Sequence, residues 1–173
     1  MMLAMTTAER QEAPTTGDER TSLEGWLDFH RATLALKCEG LDDKQLREAS
    51  APPSGLTLLG LVRHMAEVER GWFRRVLDGQ DAPPIWYSEE DQDGDFRVTE
   101  ADTGEAAFAI WRDEVAEARA AAACHSLDKV VTRRDRHEEY NLRWIYLHMI
   151  EEYARHNGHA DLIRERIDGA TGD

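Results

Sequence analysis

Four segments of the chain repeat apolar residues at intervals of three and four, and this periodicity constrains the fold more than any other feature. The segments cover about residues 22–38, 57–77, 103–124 and 141–167. Because side chains three and four positions apart share one side of an α-helix, each segment predicts a helix with one apolar face. We find no convincing strand alternation. The sequence therefore predicts an all-α fold, a four-helix bundle in which the apolar faces pack together.

Two long connections separate these segments, one between the second and third helices and one between the third and fourth. Residues 80–102 combine prolines, acidic residues and Gly94, which is typical of a loop. Loops of this length inside a compact domain are usually functional or disordered. Trp86 and Tyr87 indicate that this one packs back onto the helices. The second connection, residues 125–140, is polar and predicts an irregular link.

The length of 173 residues fits one domain. We expect residues 1–20 to form a disordered leader, because they are rich in Thr and Glu and lack an apolar signal core. Residues 21–168 would form the bundle and residues 169–173 a tail. No apolar run approaches the roughly 20 residues of a membrane span. We therefore expect a cytoplasmic protein.

The charge of the chain makes some classes of partner unfavourable. Asp and Glu number 35 against 21 Lys and Arg, a net charge of −14. Such a surface repels nucleic acid and anionic lipid, so we expect neither as a partner. Cys38 and Cys124 are too few for a disulfide framework and are predicted to be small buried apolar residues. A reactive thiol would need electropositive neighbours, which neither local sequence supplies.

The fourth predicted helix carries the strongest functional signal. Its inward face, in steps of three and four residues, consists of Ile145, Met149, Glu152, His156, His159 and Ile163. A charged carboxylate at a core position costs several kcal/mol unless it is paired or coordinates a metal. Glu152 and His156 lie one turn apart and can share one ion. His64, beside the apolar face of the second helix, would supply a third ligand across the bundle.

Two histidines and one glutamate form a common open zinc site, with a fourth position for water or substrate. Zinc is the expected ion, and nickel, cobalt or iron would also suit these ligands. His159 could replace Glu152 as a ligand, or orient a ligand or substrate. In the alternative without a metal, Glu152 pairs with Arg155 or Arg63 and the histidines line a polar interior. His148 is predicted to be a core or surface histidine.

The stretches LVRHMAEVERGWF and, about 88 positions later, HMIEEYARHNGHADLIRERIDG contain these residues. They resemble the DinB-like superfamily of metal-binding helical bundles, and the resemblance covers about residues 21–168. That family pairs one histidine of its second helix with H-x-x-x-H, or E-x-x-x-H, on its fourth. The second form is typical of the mycothiol-dependent maleylpyruvate isomerase branch. His64, Glu152 and His156 match these ligands, and Trp72 matches a frequent aromatic residue.

The resemblance implies a thiol-dependent S-transferase or isomerase that takes a low-molecular-weight thiol, such as mycothiol, and an electrophilic substrate. In this hypothesis His159, which stands where many members have glutamine, orients a group or shuttles a proton. Members often form homodimers through exposed helix faces. The isomerase branch has an additional C-terminal domain, whereas this sequence ends at Asp173, so its contacts are not expected here. Two alternatives remain, namely a metal-dependent hydrolase that activates water and a non-catalytic, stress-related metal-binding bundle.

Overall fold

The computed structural model describes residues 10–133 and 137–172, most of which are helical. The helices are α1 (Glu19–Cys38), α2 (Asp43–Leu46), α3 (Leu58–Glu69), α4 (Gly104–Ala123) and α5 (Leu142–Asp168). Helix α3 continues directly into a π-helical segment, Arg70–Leu77. The predicted helices are therefore confirmed, and α1 begins three residues before the predicted start.

Capping side chains explain where the long helices begin. At each of the four starts a side-chain oxygen accepts a hydrogen bond from a backbone N–H of the first turn, and the residues involved are Asp18, Thr57, Thr103 and Asn141. Such caps satisfy donors that have no partner inside the helix. Helix α5 ends at Gly169, whose φ of 78° is the left-handed conformation that glycine adopts without strain.

A small β-hairpin corrects the all-α prediction. Strands β1 (Val130–Arg133) and β2 (Glu138–Asn141) pair antiparallel, with Val131 opposite Tyr140. They lie inside the connection that was predicted to be irregular. Consecutive β-branched residues at 130–132 favour the extended backbone. A strand of four residues is too short for alternation to be recognised in the sequence.

The long helices meet around a buried polar group. Glu69 is fully buried and accepts two hydrogen bonds from Arg31, at 2.8 and 2.7 Å. The Tyr153 hydroxyl donates to the same carboxylate at 2.8 Å, and the Trp111 indole donates to that hydroxyl at 2.8 Å. Because these residues come from α1, α3, α4 and α5, one hydrogen-bonded network joins all four. A buried charge is tolerated when it is paired and hydrogen-bonded in this way.

The two cysteines differ in their exposure. Cys38 is buried as predicted, whereas Cys124 is exposed at the C-terminal cap of α4. None of the helices in the described ranges combines the length and apolar character that a membrane span requires. Residues 1–9 of the predicted leader and Asp173 of the predicted tail lie outside the described residues.

Candidate metal centre

The structure brings His64 of α3 together with Glu152 and His156 of α5. One ligand atom from each residue lies within 4.8 Å of the others. Nε2 of His156 is 3.5 Å from Oε2 of Glu152, and the rings of His64 and His156 are 4.7 Å apart between centroids. His156 is buried, while His64 and Glu152 are half-buried. Two imidazoles and a carboxylate thus converge at the edge of the core.

Asp95, in the loop between the π-helical segment and α4, orients His64. Its Oδ2 is 2.7 Å from Nδ1 of His64, and its Oδ1 accepts a hydrogen bond from the backbone N–H of Phe96 at 3.0 Å. Because a carboxylate accepts the Nδ1 proton, Nε2 is left with its lone pair free for a ligand. The ring of Phe96 stacks on His64 with 4.5 Å between centroids.

Sequence reasoning missed Asp95. It lies 31 residues from His64 in an irregular segment, so no periodicity connects the two. The relevant signal in the sequence was the aromatic residues of this loop, from which we expected the loop to pack back onto the helices. That expectation is confirmed, because Trp86 and Phe96 pack against the core.

Helix α3 holds this loop on both sides of His64. One residue before it, Arg63 donates to the carbonyl groups of Gly94 at 2.9 Å and Arg97 at 3.2 Å. One turn after it, Oε1 of Glu67 accepts the backbone N–H groups of residues 85 and 86 at 2.6 and 2.7 Å. The loop is therefore fixed to the same turns of helix that carry the histidine.

His159 lies beside His156 rather than in the ligand group. The Nδ1 atoms of the two rings are 3.3 Å apart, so one of them donates a hydrogen bond to the other. No group of potential ligands within 4.8 Å includes His159 in the described part of the chain. Burial, and then the neighbouring His156, lowers the pKa of His159. A neutral His159 can accept the Nδ1 proton of His156, which leaves Nε2 of His156 facing Glu152.

The surroundings of Glu152 favour its ionised form. The neighbouring side chain of His156 is the main cause that lowers its pKa, with Arg155 and His148 adding to it. Arg155 reaches Glu152 at 3.5 Å and His148 reaches it at 3.6 Å. The predicted alternative pairing with Arg155 is thus present as a long contact, whereas Arg63 binds the loop instead.

His148, Glu151 and Glu152 form a second group of potential ligands. All three lie on α5, and Glu151 is exposed. His148 lies three and four positions before the two glutamates, so these side chains are neighbours on the helix surface without any ion. The first group draws on two helices and is more buried, so it is the better candidate.

The first group fits the requirements of a divalent ion. In a tetrahedral zinc site with ligands at 2.0–2.1 Å, donor atoms are about 3.4 Å apart. The measured 3.5 Å between His156 and Glu152 is close to this value. His64 also lines a groove of about 1060 Å³, formed by the π-helical segment, the loop and β1. A substrate in the groove could therefore approach the site.

Comparison with known proteins places the chain in a family. Residues 22–169 match the family model described as Mycothiol-S-transferase. Among proteins of curated function, no match is found. The matched region contains every helix from α3 onwards, and with it His64, Asp95, Glu152 and His156. Because the match covers most of the sequence, the chain belongs to the mycothiol S-transferase family, a DinB-like family.

Proposed function

We propose that this protein is a metal-dependent S-transferase that joins mycothiol to a small electrophilic substrate. The observation that carries the proposal is the convergence of His64, Glu152 and His156 in a member of this family. These residues would hold a divalent ion inside a four-helix bundle of α1, α3, α4 and α5. Zinc is the preferred ion, and nickel, cobalt or iron would also suit these ligands. When bound, the ion would lower the pKa of a thiol and hold it as a nucleophilic thiolate.

The residues of the chain position the ligands. Asp95 accepts the Nδ1 proton of His64 and keeps its Nε2 available. His159 accepts the Nδ1 proton of His156 and keeps the Nε2 of that ring available. Because Nδ1 and Nε2 lie on different edges of the ring, His159 fits the role of orienting His156 better than that of a proton shuttle.

The reaction itself is a displacement or an addition at carbon. In the displacement, a sulfur–carbon bond forms, the leaving group departs with the electron pair of its bond, and the thiol proton passes to solvent. The half-buried position of the site and the adjoining groove give room for both reactants. We further propose that the protein is cytoplasmic and forms a homodimer, the latter tested by light scattering of the purified protein.

The test uses mycothiol and monochlorobimane, whose conjugate is fluorescent. We expect conjugation above the buffer rate, loss of this activity after chelation, and recovery when zinc is added. His156→Ala should lose both the stoichiometric metal, measured by elemental analysis, and the turnover. His148→Ala removes a neighbour of Glu152 but none of the three proposed ligands, so it should keep the stoichiometric metal and most of the turnover.

Three outcomes would contradict the proposal. Loss of metal in His148→Ala but not in His156→Ala would move the centre to the second ligand group. Metal-dependent hydrolysis of esters or amides without any thiol would favour the hydrolase. No metal in the unmodified protein would favour a non-catalytic bundle.

A further inference from the structure

Three arginines lie on the π-helical segment, and they face two different sides. Nη1 of Arg70 and Nη1 of Arg74 both contact Glu114 of α4, at 2.5 and 3.0 Å. Arg75 instead lines the groove that also contains His64. Within residues 10–133 and 137–172, no carboxylate forms an ion pair with Arg75. This is unusual for a half-buried guanidinium in a chain with a net charge of −14.

Gly71 and Tyr87 hold the Arg75 side chain in place. A Cβ atom at Gly71 would lie 3.0 Å from Nη2 of Arg75, so the absence of a side chain there leaves space for the guanidinium. The same Nη2 donates a hydrogen bond to the Tyr87 hydroxyl at 2.7 Å. Nε and Nη1 have no hydrogen-bond partner in the described residues. Their N–H groups remain available to a ligand in the groove.

The carboxylates that share the groove are mostly engaged elsewhere. Asp95 binds His64, and Glu67 binds the loop backbone. Asp78 accepts a hydrogen bond from the Gln80 side chain at 2.7 Å, and Asp81 is exposed. Two further cations, Lys129 and Arg133, line the groove from the side of β1. The wall around Arg75 therefore suits a negatively charged group.

The position of Arg75 limits the length of such a ligand. Its guanidinium lies over Gly71, which is seven residues after His64. At 1.5 Å of rise per residue, this corresponds to about 10 Å along the helix axis. A molecule that reaches both sites would therefore have an anionic group about 10 Å from the atom that reacts near His64.

We propose that Arg75, held by Tyr87, binds a carboxylate of the electrophilic substrate. The preferred electrophile is then an organic acid whose carboxylate lies about 10 Å from the carbon that the thiol attacks. A guanidinium offers parallel N–H donors that match a carboxylate in both spacing and charge. This inference rests on the proposed transferase function, and it names the class of the second substrate.

Equilibrium binding tests the anion site without turnover. The probes are dansyl-6-aminohexanoate and its methyl ester, which differ in charge and by one methyl group, and binding is followed by fluorescence anisotropy. We expect the acid to bind about tenfold more tightly than the ester, since hydrogen bonds to a charged group are strong. Arg75→Gln should reduce this preference to less than twofold. Arg112→Gln, on the exposed side of α4, should leave it unchanged.

Two further variants separate binding from folding. Arg75→Lys keeps the charge and should keep part of the preference for the acid. Gly71→Ala places a methyl group against the guanidinium and should weaken binding of the acid several-fold, although alanine favours the helix. Equal binding of acid and ester by the unmodified protein, or an unchanged preference in Arg75→Gln, would overturn the inference.

Conjugation kinetics then assign the site to the electrophile. The substrates are N-ethylmaleimide and maleimides with a carboxylate on alkyl chains of increasing length. The thiol adds across the carbon–carbon double bond, the sulfur binds one carbon, and the proton goes to the other. Arg75→Gln should raise KM for the long-chain acid about tenfold. It should leave the metal content and kcat/KM for N-ethylmaleimide unchanged.

The outcomes also distinguish this inference from the proposed function. A higher KM for mycothiol with the neutral electrophile would assign Arg75 to the thiol and overturn the inference. An Arg75-dependent preference for the acid in the binding experiment, together with no conjugation of any electrophile, would support the anion site and contradict the transferase.

Discussion

At the scale of single residues, Asp95 determines which nitrogen of His64 faces the other candidate ligands. Its carboxylate lies 2.7 Å from Nδ1 and is itself buried, with a backbone N–H on its other oxygen. A histidine ligand whose second nitrogen is fixed in this way needs no reorganisation when an ion binds. The same residue could not be found from the sequence, because it lies in a segment without periodicity.

We expect Asp95→Asn to weaken zinc binding about 10- to 100-fold, because partners of ligating histidines typically have effects of this size. The measurement is competition against a chromophoric chelator, with ¹⁵N chemical shifts of the His64 ring as a report on its tautomer. Asp93→Asn, an exposed carboxylate of the same loop, is the control. Equal zinc affinities of the two variants would contradict the assigned role of Asp95.

Glu69 is a buried residue whose loss would affect stability rather than zinc binding. Glu69→Ala would leave the Arg31 guanidinium buried without its main partner, so we expect a loss of about 3–5 kcal/mol in the free energy of unfolding. Urea denaturation measures it. Glu117→Ala, on the exposed face of α4, should change the same quantity by less than about 0.5 kcal/mol. A loss below about 1 kcal/mol for Glu69→Ala would mean that the network contributes little.

At the scale of elements, the helices were predictable and the connections were not. Thr57 and Gly169 mark helix ends that obey local rules, and the three- and four-residue spacing identifies the buried faces between them. The hairpin at β1 and β2 and the course of the loop depend on contacts with distant residues. The change from α- to π-helix at Arg70 also leaves no trace in the apolar spacing.

The attachment of the loop to α3 can be tested at Glu67. We expect Glu67→Ala to speed amide hydrogen exchange at Ile85 and Trp86, because both N–H groups lose their acceptor. Glu67→Gln retains an oxygen acceptor and should preserve most of the protection. If Glu67→Ala leaves the exchange of both amides unchanged, the loop is held by other contacts.

At the scale of the whole molecule, the candidate ligands join helices that are far apart in the sequence. His64 and Glu152 were predicted together from their positions on two apolar faces, because facing helices bring such groups into the core. The inward placement of the site thus followed from periodicity. Its orienting residue and the groove did not, since Asp95 lies in the loop and the groove is formed by the π-helical segment, the loop and β1.

An ion that binds the folded chain and not the unfolded one should raise the thermal stability of the whole protein. At a free zinc concentration about 100 times the dissociation constant, the expected gain is about 2.7 kcal/mol. Thermal unfolding with zinc and with a chelator measures it. His156→Ala should unfold at the same temperature in both conditions. A zinc-dependent shift of equal size in that variant would place the ion elsewhere.

Asp95 and Tyr87 belong to one stretch of chain, although the first contacts His64 and the second contacts Arg75. An ion at His64 and an acid at Arg75 would therefore both restrain the same segment. If the acid changes the affinity for the ion by some factor, the ion must change the affinity for the acid by the same factor. Each ligand would then alter the binding of the other, although the two ligands are not in contact.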